Sequence, residues 1–115
     1  YKDIMKENCI QCSSMMIPIQ IIKETMFNTE FYHEDYVLGL DILKKGYVAV
    51  ADTDVLLNWR YLNNSRSFNK KKSAFNRWRI YREYLKLPLL KAIYYFSCYA
   101  FAGIRKYGNS YPKQK

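Results

Sequence analysis

The spacing of apolar residues predicts a helix near the middle of the chain. Apolar positions recur every three or four residues over 34–45. The face expected to be buried carries Val37, Leu40 and Leu43. Gly46 is the expected stop, because glycine readily takes the backbone conformation that ends a helix. Pro18 suits the start of a shorter helix over 19–26.

The second half of the chain predicts two further helices. A stripe at helical spacing indicates the first, with Phe75, Trp78, Tyr81 and Leu85 as its apolar members. Pro88 ends this helix, and residues 89–107 form a very apolar second one. The uncharged stretch over 92–104 is thirteen residues long. That is too short to cross a bilayer core of about 30 Å.

Three other segments predict β-strands. Residues 9–17 and 47–51 would form two strands, and residues 55–61 would either continue the second or form a third. A turn is expected at Asn63, Asn64 and Ser65. The whole pattern therefore predicts a mixed α/β fold with two to three strands and flanking helices.

Composition and charge narrow the class of protein. Half of the 115 residues are hydrophobic and 17% are aromatic, which excludes a disordered tail. The net charge of +9 is unevenly spread. Residues 1–59 hold five lysines and nine acids, whereas residues 60–115 hold fourteen lysines and arginines against Glu83 alone. The basic half is suited to an anionic membrane, a nucleic acid or a phosphate-bearing ligand.

Three cysteines give an odd count and no disulfide framework. Cys9 and Cys12 have the spacing of a redox or zinc pair, and a zinc site would need Cys98 and His33 as well. In a strand, positions three apart point to opposite faces, which opposes chelation. We therefore favour reduced thiols packed as small hydrophobic side chains.

Glu34 and Asp35 are the most informative residues. They lie at the start of the predicted 34–45 helix, where exposed N–H groups and the helix dipole favour negative charge. An ionised carboxylate there could act as a general base toward a hydroxyl group. It could equally cap a surface helix. The local chemistry alone leaves both roles open and favours capping.

An ordered set of features resembles a known enzyme family. A serine-containing strand over 13–17 precedes an acidic pair that opens a helix ending in glycine. An aromatic–arginine pair then follows a strand, with a serine five residues after the arginine. The residues concerned are Glu34, Asp35, Gly46, Trp59, Arg60 and Ser65. This order, over about residues 5–107, resembles the C-terminal half of family 2 glycosyltransferases, which are inverting GT-A enzymes of bacterial polysaccharide synthesis.

The resemblance implies a partial GT-A fold of the nucleotide-diphospho-sugar transferase type. Residues 1–64 would be the acceptor-side half of the catalytic domain, and residues 65–115 a basic, aromatic helical extension. The parent enzyme would transfer a sugar from a nucleotide-sugar to a lipid-linked saccharide acceptor with inversion. Because the chain begins at Tyr1 and lacks the donor-binding half, we interpret it as a fragment that is inactive alone.

Roles for individual residues also follow from the resemblance. Asp35 would be the general base, and Glu34 would position it or shape the acceptor site. Arg60 would bind a diphosphate or an active-site acid, with Trp59 beside it. His33 would contact the acceptor or the diphosphate. For His33 a structural hydrogen bond is the safer interpretation, and for Arg60 a structural role that ties down strand ends is equally open.

Two departures from the family's pattern concern metal binding. Asp52 and Asp54 spell a D-x-D motif, but their position downstream of Glu34 and Asp35 is wrong for the family's metal motif. We predict a turn between strands there. Leu62 stands where many relatives have a histidine. No cofactor is therefore expected within this fragment, and a divalent Mg²⁺ or Mn²⁺ is expected in the full-length enzyme.

The basic, aromatic half leaves its partner open. In the family such helices rest on the inner leaflet, which implies a cytoplasmic protein held peripherally on the inner face of the cell membrane. Packing on the catalytic core or on a second copy of the chain is equally compatible. The rival function is a non-enzymatic membrane- or protein-interaction module. A nucleic-acid partner is not expected, because no RNA-binding signature is recognisable.

Overall fold

A computed structural model describes residues 1–58 and 69–108 of the chain. Its α-helices are α1 (Lys2–Lys6), α2 (Ile19–Thr25), α3 (Glu34–Lys44), α4 (Lys70–Arg79) and α5 (Leu89–Gly108). A 3-10 turn covers Cys12–Ser14, and a π-helical turn over Ile80–Tyr84 continues α4. The architecture is a small set of helices joined by extended segments.

The predicted α/β fold is wrong for the part of the chain that the structure describes, where no β-strand forms. The predicted 9–17 strand is an irregular segment that contains the 3-10 turn. The predicted 47–51 strand has no pairing partner and is exposed along its length, with Val48 at 83% and Val50 at 91%. Residues 55–58 are likewise unpaired and exposed, and residues 59–61 lie outside the described ranges.

The physical reason is that strand propensity is not sufficient for a strand. An extended segment is stabilised by hydrogen bonds to a neighbour and by side chains packed against the next layer. Val48 and Val50 have high propensity but bury almost nothing. Their apolar pattern therefore leads to an exposed segment in this structure and not to a sheet.

The hydrophobic core joins residues from both ends of the chain. One cluster of buried side chains comprises Ile4, Met5, Phe31, Tyr36, Val37, Leu40 and Ile80. Helix α1 packs against α5, so the first turns of the chain are covered by its last helix. Gly39 allows α1 to approach α3, because a Cβ at this position would lie 3.2 Å from Ile4 Cδ1.

The predicted 34–45 helix and its stop are confirmed to within one residue. Helix α3 begins at Glu34, and Gly46 follows it with φ of +95°, the left-handed conformation that glycine takes at little cost. Its middle turn, residues 36–40, is buried on all sides. The Lys45 ammonium fixes the end of α3 by donating to Glu24 O at 2.9 Å and to Thr25 Oγ1 at 3.0 Å.

The predicted α4 stripe is only partly correct. Tyr81 is fully buried, but Phe75 is 67% exposed. The face that packs inward instead carries Ser73, Asn76, Arg77, Ile80 and Tyr81. Three of these five are polar, so a search for apolar periodicity misses the face that the fold buries.

Helix α5 forms as predicted after Pro88, whose carbonyl accepts a 2.9 Å hydrogen bond from Ala92 N. Ala92 is fully buried, and Tyr95 packs against the core cluster. Within the described ranges, no helix combines the length and the apolar character needed to cross a membrane.

Tyr81 provides a test of the packing between α4 and α1. Its buried hydroxyl donates to Met5 O at 2.5 Å. We expect Tyr81→Phe to lower the free energy of unfolding by about 1–2 kcal/mol, because a buried carbonyl loses its donor. Urea denaturation measures the change. The matched control is Tyr94→Phe at an exposed site on α5, which we expect to stay within about 0.5 kcal/mol of the native protein. Equal losses in both variants would contradict this role for Tyr81.

Candidate active site

The acidic pair occupies the first turn of α3. His33 is the residue before the helix, and its carbonyl accepts the first helical hydrogen bond, from Val37 N at 3.2 Å. Glu34 and Asp35 are both partly exposed. Two carboxylates at a helix N-terminus benefit from its exposed N–H groups and dipole. The structure therefore places the two predicted catalytic residues at a partly exposed helix start, where solvent or a ligand can reach them.

The remaining predicted site residues divide into two groups. His33 lies beside the acidic pair, and its ring makes an edge contact with Tyr32 at 5.0 Å between centroids. Trp59 and Arg60 lie outside the described residues, as does Ser65. The structure thus brings together three of the five predicted site residues, which are consecutive in the sequence.

A buried arginine on α4 packs against the first turns of α3. Arg77 is 3% exposed, and its guanidinium carbon lies 3.4 Å from the ring centroid of Tyr36, the residue after Asp35. The same carbon lies 4.7 Å from the ring centroid of Tyr99 on α5. Aromatic faces attract cations, and this attraction is stronger where water is excluded. Arg77 therefore connects α3, α4 and α5 at one point.

Burial changes the acid–base properties of the tyrosines around Arg77. Desolvation raises the pKa of Tyr36, and the positive charge of Arg77 acts in the opposite direction. Desolvation also raises the pKa of Tyr81. Tyr36 Oη and the Nε and Nη1 atoms of Arg77 are buried without a hydrogen-bond partner. Both tyrosines are therefore neutral near pH 7, and the rings of Tyr36 and Tyr99 lie against the buried cation.

A cavity of about 450 Å³ opens beside Glu34. Its wall is formed by the loop 29–32, by Glu34 and by Asn76 and Arg79 of α4. Asn76 joins the two sides, because its Oδ1 accepts a hydrogen bond from Tyr32 N at 3.0 Å. The volume is within the range typical of small-molecule sites.

Arg79 is held in place at the rim of this cavity. Its Nε and Nη2 donate to the Glu83 carboxylate at distances of 2.7–3.1 Å. The hydrogen bonds from Arg79 lower the pKa of Glu83. Because this ion pair is exposed, it adds little to the stability of the fold. Its contribution to the site is to orient the Arg79 guanidinium.

The D-x-D motif does not line this cavity. Asp52 Oδ1 accepts a hydrogen bond from Asp54 N at 3.0 Å and the chain bends there, but the predicted turn between strands is wrong because no strands flank it in the described residues. Throughout residues 1–58 and 69–108, no three His, Cys, Asp or Glu side chains are grouped so that they could hold a metal ion. The described residues therefore provide no set of ligands for the divalent ion that the resemblance implies for the full-length enzyme.

The cysteines are unpaired thiols. Cys9 and Cys12 are exposed, so the expectation that they pack as small hydrophobic side chains is wrong, whereas Cys98 is partly buried. The extended backbone around the first two leaves them at the surface of an irregular segment.

Sequence reasoning missed Asn76, Arg77 and Arg79 as parts of the site. They lie more than 40 positions from the acidic pair in the sequence, and contacts at that separation leave no local signal. One signal was available: Ser73, Asn76, Arg77, Ile80 and Tyr81 have the spacing of a single helical face. A helix that mixes arginine and asparagine into such a face is a candidate for a buried polar contact.

Two known proteins named as glycosyltransferases are similar in sequence to this chain. The chain is 33% identical over 106 residues to TuaG of Bacillus subtilis (strain 168), which is named as a glycosyltransferase of teichuronic acid biosynthesis. It is 32% identical over 108 residues to a Haemophilus influenzae protein named as an uncharacterized glycosyltransferase. The matches cover 92% and 93% of this chain. They cover 42% and 43% of the relatives, so the chain spans less than half of their length.

These homologues, both named glycosyltransferases, support a glycosyltransferase family for this chain. No protein-family model matches the chain. No solved structure matches it.

Substitutions at Arg77 test what the buried guanidinium does. We expect Arg77→Lys to lower the free energy of unfolding by about 2 kcal/mol or more, because an ammonium keeps the buried charge but loses the planar stack on Tyr36. Arg77→Met keeps a long apolar stem and removes the charge, so we expect a smaller loss. Urea denaturation of both variants gives the ranking. A lysine variant as stable as the native protein would show that planarity is not what the site requires.

Proposed function

We propose that this chain is the acceptor-side part of an inverting glycosyltransferase of family 2. The observation that carries the proposal is the partly exposed acidic pair in the first turn of α3, at the edge of a cavity of small-molecule size. Homology to two proteins named glycosyltransferases supports the same conclusion. Transfer from a nucleotide-sugar to a saccharide, in surface polysaccharide synthesis, agrees with the biosynthetic name of the Bacillus relative.

In the proposed reaction Asp35 is the general base. Its carboxylate takes the proton of the acceptor hydroxyl while that oxygen attacks the anomeric carbon of the donor sugar. The bond from the anomeric carbon to the phosphate oxygen breaks, and the nucleoside diphosphate leaves with the electron pair. Attack from the opposite side inverts the configuration. Glu34 shapes the acceptor side, and His33, Trp59 and Arg60 remain predicted substrate-binding residues.

Helix α3 explains why Asp35 suits this role. The residues that follow it, Tyr36 and Val37, are completely buried and anchor the first turn. Because Tyr36 is also stacked by Arg77, the backbone of Asp35 is held by the core while its side chain reaches the surface. Such a support positions a base within reach of a bound hydroxyl.

The direct test is Asp35→Asn in the full-length protein. We expect a loss of sugar transfer of at least about 100-fold with an unchanged fold, because the amide cannot accept the proton. Transfer of radiolabelled sugar from nucleotide-sugars to a saccharide acceptor measures the activity. The matched control is Asp41→Asn on the same helix, where the amide oxygen can still accept the 2.6 Å hydrogen bond from Tyr84. Near-normal transfer by Asp35→Asn would remove Asp35 from the mechanism.

A second candidate role is contact with an anionic membrane surface. The outward face of α5 carries a stripe of exposed apolar side chains at helical spacing, formed by Leu90, Ile93, Tyr94, Phe101 and Ile104. Lys91 lies near the start of the helix, and Arg105 and Lys106 lie in its last turn. An apolar stripe with basic residues at both ends is typical of helices that lie in a membrane interface.

Vesicle binding tests the α5 stripe. We expect the double variant Leu90→Glu, Phe101→Glu to lose at least about tenfold in binding to vesicles that contain anionic lipid, because both side chains would carry negative charge into the interface. Co-sedimentation at low salt measures binding. Ile19→Glu is the control, since it changes an exposed apolar residue on α2. If the native protein does not bind these vesicles, the membrane role is contradicted. If the native protein is a dimer that the same double variant dissociates, the stripe is a protein interface instead.

A further inference from the structure

We propose that Cys9 and Cys12 are a redox-sensitive pair, which closes into a reversible disulfide when a low-molecular-weight disulfide serves as the oxidant. Both thiols are unpaired and exposed in the structure. Neither residue lines the cavity beside Glu34, and the proposed transfer reaction uses neither of them. The inference therefore goes beyond the proposed function and does not depend on it.

The backbone around the pair removes the main objection to joining these two residues. In a strand, side chains three positions apart point to opposite faces. No strand forms over residues 9–17, where residues 9–11 are irregular and Cys12–Ser14 is a 3-10 turn. The turn is fixed by Ser14, whose backbone N and side-chain Oγ donate to Gln11 O at 3.1 and 3.2 Å. A helical turn thus already begins at Cys12.

One further turn of the same kind, added before Cys12, would bring the two thiols together. A 3-10 helix has three residues per turn, so side chains at i and i+3 eclipse each other. Its rise of about 2.0 Å per residue places their Cα atoms about 6 Å apart. Disulfides most often join Cα atoms that are about 5.5–6 Å apart. Gln11 is extended in the reduced protein, with φ −100° and ψ 134°, so closure requires a local rewinding of residues 9–11.

Ile10 is the side chain that this rewinding has to move. It is partly buried and packs against the core cluster, whereas its neighbours Cys9 and Gln11 are exposed. Because hydrophobic stabilisation scales with the apolar area removed from water, a partly buried side chain opposes the movement less than a fully buried one. The change is therefore confined to one surface segment and one core contact.

The proposed step is a thiol–disulfide exchange in two stages. The thiolate of one cysteine attacks a sulfur of the small disulfide, which forms a mixed disulfide and releases one small thiol. The thiolate of the other cysteine then attacks the protein sulfur of the mixed disulfide, and the second small thiol leaves. One S–S bond breaks in the oxidant and one forms between Cys9 and Cys12. The protein is oxidised by two electrons, and its two thiol protons end on the two small thiols.

The test equilibrates the native protein with mixtures of reduced and oxidised glutathione, alkylates the remaining thiols and analyses the peptides by mass spectrometry. We expect the peptide that contains Cys9 and Cys12 to lose two hydrogen atoms and to take up no alkyl group. Cys98 on α5 should stay outside this disulfide. Stable mixed disulfides with glutathione at Cys9 and Cys12, or two alkylated thiols in the most oxidising mixture, would overturn the proposal.

Gln11→Pro is the matched variant for the rewinding, because proline disfavours the helical conformation of the residue before it and leaves both thiols in place. We expect the equilibrium constant for closing the disulfide to fall by at least about tenfold. Gln11→Ala is the control, since it removes the same side chain without restricting Ile10, and it should leave the constant unchanged. An unchanged constant in Gln11→Pro would overturn the rewinding.

If Gln11→Pro does not fold, Cys12→Ser keeps the proposal open to refutation. Without the second thiol, we expect the mixed disulfide with glutathione to persist at Cys9, whereas the native protein resolves it. Equal accumulation of the mixed disulfide in the native protein and in Cys12→Ser would show that the two thiols do not react with each other, and would overturn the proposal.

Discussion

The contact between Arg77 and Tyr36 is the constraint on which the described structure most depends. A fully buried guanidinium without a carboxylate partner would ordinarily be strongly destabilising. Here it lies 3.4 Å from the Tyr36 ring centroid and 4.7 Å from that of Tyr99, so aromatic faces replace water around the charge. Because these three residues belong to α4, α3 and α5, one side chain takes part in the packing of three helices. Helix α1 is then fixed to the same assembly by the hydrogen bond from Tyr81 to Met5 O.

The same part of α4 also shapes the candidate site. Arg77 holds the residue that follows Asp35, and the preceding Asn76 holds the backbone of Tyr32, before Glu34. Two adjacent residues on one helix therefore fix the chain on both sides of the acidic pair. This arrangement explains why a pair in the first turn of a helix can be partly exposed and still well positioned. The support comes from a buried polar face, which specifies geometry more narrowly than apolar packing because each group needs a particular partner.

How far the sequence predicts this structure depends on whether the determining contacts are local. Helix α3 with its stop at Gly46, and α5 after Pro88, were predicted because periodicity, glycine and proline act within a few residues. The predicted strands over 9–17 and 47–51 were wrong because a strand depends on a partner elsewhere in the chain. The acidic pair was found from its position at a helix start. Asn76 and Arg77 were not, since their partners Tyr32 and Tyr36 are more than 40 positions away and a polar stripe is normally a solvent-facing one.

Helix α5 carries apolar side chains on two faces that have different surroundings. Its inner face is used by the core, where Ala92 is fully buried, Tyr95 packs on the central cluster and Tyr99 lies against Arg77. Its outer face carries the exposed stripe from Leu90 to Ile104. The inner face packs on the core and the outer face is exposed, and the apolar residues of both faces together account for the high apolar content of the helix. Since Arg77 contacts both Tyr99 of α5 and Tyr36, the residue after Asp35, whatever covers the outer face of α5 packs on a helix that contributes to the support of the acidic pair.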